Sequence, residues 1–577
     1  MQSRAPDPFT MEIIKNALIA LGDEMFYALQ RTSMSPIIYE TLDYAVGATD
    51  ARGNLIAQGN GVTGFLGTLD GAVSSVLQKF GGDGLRPCDV FVTNDPYEGG
   101  GTHLSDVSLV MPIFYEGEVV AFMANKAHWT EVGGKDPGSW TTDATEVYQE
   151  GLQFPNIRLF DAGEPSQALL DLISANVRLP DMTLGDLWAG VAALRVGERR
   201  FTGLCKRYGK RTILDAMENL LDHGEQMTRL ELAKLPRGVF EAEDWIDDDG
   251  IGNGPFPVRV KVTISDDEFV CDFTGSHPQV PGPINCTRSG LISEVRAGFK
   301  AVAAPHLPTS GGMFRPLNIV CPPNTIFTAE RPAPVSTYWE TKRYAVDLLW
   351  KALAPHVPHR LPAGHFLSVC GTVLSGIHPD TGEFFLLVEP LVGGWGAGHD
   401  KDGENGQFCV GDGETYNIPV EVTETRYGVL VERYAFHSED GGAGEYRGGK
   451  GVVLDYRIVS DEAFLTATFG RHKFPPWGMA GGQDGSCNYI KVIRKDGREE
   501  VFGKVARLRL EKDDVVRLVT GNGGGYGDPR KRPREKVAKD LKNGYVTSEQ
   551  AEDLYVHEAG RTPATTPIGT PTRKKHW

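Results

Sequence analysis

Val107-Ser-Leu-Val-Met-Pro-Ile-Phe-Tyr-Glu-Gly-Glu-Val-Val-Ala-Phe-Met-Ala124 is the stretch on which the reading of this chain turns. Two apolar runs, Val107–Phe114 and Val119–Ala124, flank the turn Tyr115-Glu-Gly-Glu118, a pattern that predicts an antiparallel hairpin. A hairpin folds residues equidistant from its turn onto each other. With the turn centred near Glu116–Gly117, residue 106 falls opposite about 127, and 103 opposite about 130. His103 and Asp106 then arrive beside His128 and Glu131 at one end of a sheet. Two imidazoles and two carboxylates in one place suit a catalytic divalent metal such as Zn, Mn or Fe. The same residue types also cap loops and make surface hydrogen bonds at strand ends, so spacing by itself leaves both readings open. The preceding loop, Tyr97-Glu-Gly-Gly-Gly101, is expected to let a substrate or a partner's backbone approach closely.

Upstream, residues 10–31 read as an amphipathic helix capped by Thr10, with Met11, Ile14, Leu18, Met25 and Leu29 at helical spacing. Leu42–Thr49, the turn Asp50-Ala-Arg-Gly53 and Asn54–Gln58 form a second hairpin signal, Leu69–Phe80 a helix, and Val90–Asn94 a short strand. Downstream, 165–235 is expected to be helical and Pro236–Gly254 to be an acidic, glycine-rich linker. Strands dominate 257–330, a helix covers 337–354, and strands with glycine turns fill 383–520. Two short helices, 533–542 and 548–556, close the pattern, the second opened by a Thr547/Gln550 capping box, and Thr562–Trp577 has the composition of a disordered tail.

The chain has 577 residues, beyond the size at which one hydrophobic core stops growing, so two to four lobes are expected. The predicted fold is α+β: strand-rich mixed sheets with peripheral helices. The expected division is an N-terminal metal-site domain (1–235), a middle α/β region (236–420), a glycine-rich β region (421–529) and C-terminal helices with a tail (530–577). A net charge of −17 argues against nucleic acid as a partner, because phosphate binding needs a basic face. No run of about 18 apolar residues exists to cross a membrane, and Met1–Pro8 has no apolar signal core, so a cytoplasmic location is expected. The eight cysteines form no C-x-x-C pair, which speaks against a cysteine zinc site and a disulfide framework. Gly444-Glu-Tyr-Arg-Gly-Gly-Lys450 has the spacing of a phosphate-binding loop. Gly451 follows where Ser or Thr would hold magnesium, and Glu439, Asp440 and Glu445 would repel phosphate, so a structural glycine turn is expected.

Five blocks in order resemble the hydantoinase B/oxoprolinase family: Thr93–Asp106 (TNDPYEGGGTHLSD), Pro137–Ser139 with Asp143–Gly151, Asp272–Ser276 with Pro283–Asn285, Gly441–Gly449, and Gly523–Pro529. The resemblance runs over almost the whole chain. It implies a subunit that works with a larger hydantoinase A-type subunit, which binds ATP and Mg, in a heterotetramer or larger complex. Known members include N-methylhydantoinase, 5-oxoprolinase, caprolactamase, and the acetone and acetophenone carboxylases. Their shared logic is phosphorylation of a lactam or enol oxygen by ATP. The resemblance further implies a metal held by an early acidic residue, a His-x-x-Asp pair and a later His, which match Asp43, His103, Asp106 and His128. Where the family often has His-His-x-Asp-x-Gly-Gly, this chain has His128-Trp-Thr-Glu131-Val-Gly-Gly134.

Three functions follow as expectations. The first is an ATP-dependent cyclic-amide hydrolase acting on a small hydantoin, oxoproline or lactam, with Glu131 or Asp43 as general base. The second is a component of an ATP-dependent ketone carboxylase. The third is a non-catalytic scaffold of the complex. The hydrolase is preferred because a two-subunit architecture suits this chain length.

Overall fold

The structure is a computed structural model, described here for residues 7–65 and 67–555. The hairpin forms as β4 (Asp106–Tyr115) and β5 (Glu118–His128), and it lies inside a seven-stranded sheet. The other strands are β1 (Tyr44–Asp50), β2 (Leu55–Gly61), β3 (Val90–Thr93), β6 (Ile157–Asp161) and β7 (Glu164–Pro165), in the order β2-β1-β5-β4-β3-β6-β7. Glu116 and Gly117 both take positive φ (52° and 81°), as a two-residue turn between right-twisted strands requires. A bulge between Ile113 and Phe114 shifts the register by one residue from the sequence expectation, so Asp106 pairs directly with His128.

The apolar run is continuous because both faces of the sheet are covered. Leu109, Met111 and Ile113 pack into one core with helices α1 (Pro8–Thr32), α5 (Pro180–Tyr208) and α6 (Lys210–Leu232). Val110, Phe122 and Ala124 pack on the other face against α3 (Leu69–Phe80). The short helices α2 (Pro36–Tyr39) and α4 (Gln167–Asn176) complete the region. The cap of α1 is Asp7 and not Thr10: its Oδ1 accepts from the Phe9 and Thr10 amides at 3.1 Å each, and Pro8 starts the first turn.

A second core joins the sheet β11-β10-β9-β8 to α7 (Arg288–Ala303) and α8 (Trp339–Leu353); its strands are β8 (Gly238–Ile246), β9 (Phe256–Ile264), β10 (Phe269–Asp272) and β11 (Leu317–Val320). Here the sequence reading needs two corrections. About half of the expected linker 236–254 is strand β8, whose inward residues Phe240, Asp244 and Ile246 alternate with exposed ones under a screen of acidic residues. Residues 288–303, expected among strands, form a helix with Leu291, Val295, Phe299 and Val302 on its buried side.

A third core lies between a four-stranded and a five-stranded antiparallel sheet, built from strands between Gly371 and Val519, with α9 (Val420–Arg426) at the side. The cores interlock: Tyr338, Trp339, Val373 and Val388 pack with the first core although they come from the middle of the chain. Helices α10 (Arg534–Lys542) and α11 (Ser548–Tyr555) follow, and the capping box holds as Thr547 N to Gln550 Oε1 (2.7 Å) and Gln550 N to Thr547 Oγ1 (3.2 Å). The expected tail, Thr562–Trp577, lies outside the described residues, and among those described no helix is long and apolar enough to cross a membrane.

The loop 444–451 is a packing turn. Lys450 is buried with Nζ on the Glu439 carbonyl, and a Cβ built on Gly449 would meet the Glu404 oxygen at 1.8 Å. Gly449→Ala is therefore expected to cost about 2–3 kcal/mol or more. Gly203→Ala, on the open face of α5 where an added Cβ meets nothing within 4 Å, is expected to gain up to about 1 kcal/mol. Chemical denaturation of the two variants checks this, and equal stabilities would contradict the packing account.

Candidate metal centre

Register and strand parity build the site. Asp106 and His128, a direct cross-strand pair, project on the same face as Val110 and Ala124. His103 joins them through a turn in which the Asp106 amide bonds the His103 carbonyl (3.2 Å). His103 Nε2 lies 3.0 Å from Asp106 Oδ1 and 3.2 Å from His128 Nδ1, and His128 Nδ1 lies 3.3 Å from Asp106 Oδ1. Among the described residues these three form the one group of His, Cys or carboxylate donors close enough to share an ion. All three are at most 2 % exposed.

Hydrogen-bond chemistry shows what such a cluster needs. His103 Nδ1 faces the Ser336 carbonyl at 3.1 Å, and a carbonyl only accepts, so Nδ1 carries a proton; Nε2 is then free for a cation or, in the imidazolium, for a second proton. Nε2 faces a carboxylate oxygen at 3.0 Å, a contact that a proton on Nε2 or a cation between the two satisfies. A proton on His103 Nε2 satisfies its two contacts and leaves His128 Nδ1 facing Asp106 at 3.3 Å, whereas a cation at the centre satisfies all three. The edges also fit. Donors about 2.0–2.1 Å from a tetrahedral zinc stand about 3.3–3.4 Å apart, and neighbouring donors of an octahedral ion about 2.9 Å. His128 Nε2 is buried without a partner. A ligand histidine that donates its other nitrogen to a backbone carbonyl, as His103 does, is the usual arrangement at protein metals.

Asp106 is held from behind. Its Oδ2 accepts from the Tyr338 hydroxyl (3.1 Å) and from Thr102 Oγ1, so Oδ1 alone faces the imidazoles. Burial opposes its charge, but His103 and His128 outweigh burial and keep the carboxyl well below its usual range. Asp43 lines the same cavity, of about 40 Å³, with Phe65, Trp140, Tyr338 and Trp339. It stands outside the close triangle. Its backbone carbonyl accepts from the His128 amide (3.0 Å), and burial pushes its carboxyl up to about 7. Lys342 and Arg343 close one wall, tied to the Gly64 carbonyl, Glu294 and Asp412. A larger cavity of about 340 Å³ beside Gln58 and His223 gathers no comparable donor set, so chemistry rather than volume selects the site.

Glu131 is placed differently from the other candidates. It is fully buried, and its carboxylate accepts from the Gly133 amide (2.7 Å), the Gly138 amide (3.1 Å), Ser139 Oγ (3.2 Å) and Arg178 Nη1 (3.0 Å). It does not line the metal cavity. The glycine loop also has a different reason from the one expected. A Cβ on Gly101 would meet the Asp95 oxygen at 2.5 Å and one on Gly100 the Ala72 nitrogen at 2.4 Å, so these glycines let the loop pack on its own neighbours. Sequence reading missed Thr102, Ser336 and Tyr338. The last two lie more than 230 residues downstream of the ligands they touch, and the only local sign was an uncharged stretch, Ala333–Trp339, before a helix.

The hydantoinase B/oxoprolinase family profile matches residues 7–529. This chain belongs to that family. Its relatives include the beta chain of the caprolactamase of Pseudomonas jessenii, 32% identical over 95% of this chain and 96% of that one. The B component of a putative D-/L-hydantoinase from a Pseudomonas species is 30% identical over 94% of each. The crystal structure of the ATP-dependent caprolactamase from P. jessenii superposes with a TM-score of 0.89 over 97% of this chain and 98% of that one, at 29% identity. Acetone carboxylase in its nucleotide-free form shares the fold at the same TM-score, over 95% of this chain and 79% of that one, at 18% identity. The caprolactamase match joins sequence and fold, whereas the acetone carboxylase match is one of fold alone.

Because all four bonds of Glu131 go to its own loop and to Arg178, Glu131→Gln is expected to leave metal content unchanged. It should lower stability by about 1–3 kcal/mol, the cost of disturbing a buried charge-assisted network. Metal analysis beside thermal melting decides it; loss of metal without loss of stability would return Glu131 to the metal's own shell.

Proposed function

We propose that this chain is the metal-bearing catalytic subunit of an ATP-dependent cyclic-amide hydrolase that acts with a hydantoinase A-type ATP-binding subunit. The observation that carries the reading is the buried triangle of His103 Nε2, His128 Nδ1 and Asp106 Oδ1 with edges of 3.0–3.3 Å, all three of which a cation at its centre would satisfy. The end-to-end match to a caprolactamase beta chain supports the reaction class. Zn, Mn or Fe bound there would supply Lewis-acid chemistry. His103, Asp106 and His128 would hold the ion, Asp43 on the same cavity wall would supply a fourth ligand by turning its carboxylate inward, and Glu131 acts as a clamp of the 131–139 loop instead of a general base. Tyr338 and Thr102 keep Asp106 turned so that one oxygen serves the ion. Phe65, Trp140 and Trp339 exclude bulk water and offer flat walls to a planar ring.

ATP coupling has a physical motive, since amide resonance protects an unactivated lactam from attack. The 444–451 loop is closed to phosphate: Lys450 is buried on Glu439, and the glycines around it are filled by neighbouring backbone. Both relatives are named as one component, B or beta, of a larger enzyme, which supports a partner that supplies ATP and Mg. The carboxylase reading rests on the shared fold at 18% identity.

Purified protein is expected to hold about one divalent transition metal per chain, and Asp106→Ala to lose it with its far-UV circular dichroism intact. Unchanged metal in that variant would remove the assignment. Equilibrium dialysis is expected to find no tight Mg–ATP binding to the isolated chain, and tight binding would restore 444–451 as a phosphate site. With its A-type partner the complex should open a lactam or hydantoin with ADP release. Incorporation of labelled bicarbonate into a ketone would move it to the carboxylases.

A further inference from the structure

Glu150 is a buried carboxyl that the proposed chemistry does not use. Its Oε1 accepts two successive backbone amides, Val335 N and Ser336 N, at 2.8 Å each, while Oε2 is buried without a partner. The segment it grips is the one that backs the metal centre. The Ser336 carbonyl accepts from His103 Nδ1 (3.1 Å), and two residues on, the Tyr338 hydroxyl donates to Asp106 Oδ2 (3.1 Å). Ser336 is thus held at its amide by Glu150 and read at its carbonyl by a ligand. We propose that Glu150 is a positioning residue for the metal centre: through the Val335 and Ser336 amides it sets the Ser336 carbonyl and the Tyr338 hydroxyl, and through them the orientation of His103 Nε2 and Asp106 Oδ1.

This rests on the metal reading given above, and it adds a role for a residue that touches neither metal nor substrate. The segment has a second anchor, Val147 N to the Pro332 carbonyl (3.0 Å), so it stays attached when Glu150 is changed. Burial pushes Glu150 up to about 8, so near neutral pH it is mainly the uncharged acid, which Gln imitates in shape and in its accepting oxygen.

The test is Co(II) and Zn(II) titration of the full chain, reading affinity and the visible absorption of bound Co(II). Glu150→Ala is expected to weaken both metals about 10–100-fold, the usual cost of losing an outer-shell partner, and to alter the Co(II) spectrum. Glu150→Gln is expected to match the wild type. If Glu150→Ala does not fold, Glu150→Asp decides, because its shorter arm cannot reach both amides. Asp247→Ala serves as control. Asp247 likewise grips successive amides, Lys473 N and Phe474 N, away from the metal cavity, so it should lower stability and leave Co(II) binding alone. Unchanged affinity and spectrum in Glu150→Ala or Glu150→Asp would overturn the proposal. So would a Gln variant that falls as far as Ala, or a control that weakens metal equally. Failure of the wild type to bind Co(II), or wild-type affinity in Asp106→Ala, would instead overturn the metal reading itself.

Discussion

His103 Nε2 and a carboxylate oxygen of Asp106 lie 3.0 Å apart in a buried cavity, a contact that needs a positive charge, on the imidazole or on an ion between them. That constraint organises the N-terminal half of this protein. Burial makes every uncompensated charge costly, and His103, His128 and Asp106 meet it by facing one another. The surrounding groups follow from it. A carbonyl takes the outer proton of His103, two hydroxyls take the outer oxygen of Asp106, and aromatic rings keep water from competing.

The site is a joint product of two distant parts of the chain. His103, Asp106 and His128 come from the hairpin and the turn before it, while their backing comes from the residues that lead into α8. Of α8 itself, every residue but Lys351 is buried, so it is a rigid post between the first and second cores. A centre assembled in this way is as firm as the packing between the two cores. The caprolactamase and acetone carboxylase structures share this fold, so the fold by itself does not fix the reaction.

Much of the ligand set was legible in the sequence because antiparallel pairing is arithmetic. The turn at Glu116–Gly117 predicted that 106 would meet about 127, and the bulge after Ile113 moved the partner to His128. The helices at 69–80 and 165–235 were legible from periodicity and caps. Strand β8 was hidden because its exposed face is acidic and glycine bounds it on both sides, which imitates a linker. The helix at 288–303 was hidden because it lies in a strand-rich stretch and its apolar side faces a sheet.

What the sequence by itself determined was local: the hairpin, its turn, and the meeting of His103, Asp106 and His128 at one sheet end. Each follows from side-chain alternation and short-range pairing, which depend on neighbours along the chain. Only the tertiary structure decided which carboxylate is engaged elsewhere. Glu131 is as close in sequence to His128 as Asp106 is to His103, yet the loop 131–139 folds back and gives it three local donors and Arg178. Only the tertiary structure, too, brought Ser336, Tyr338 and the Glu150 clamp to the site. Contacts across 185–233 residues of chain are set by how cores pack, and that leaves no periodic trace in the residues themselves.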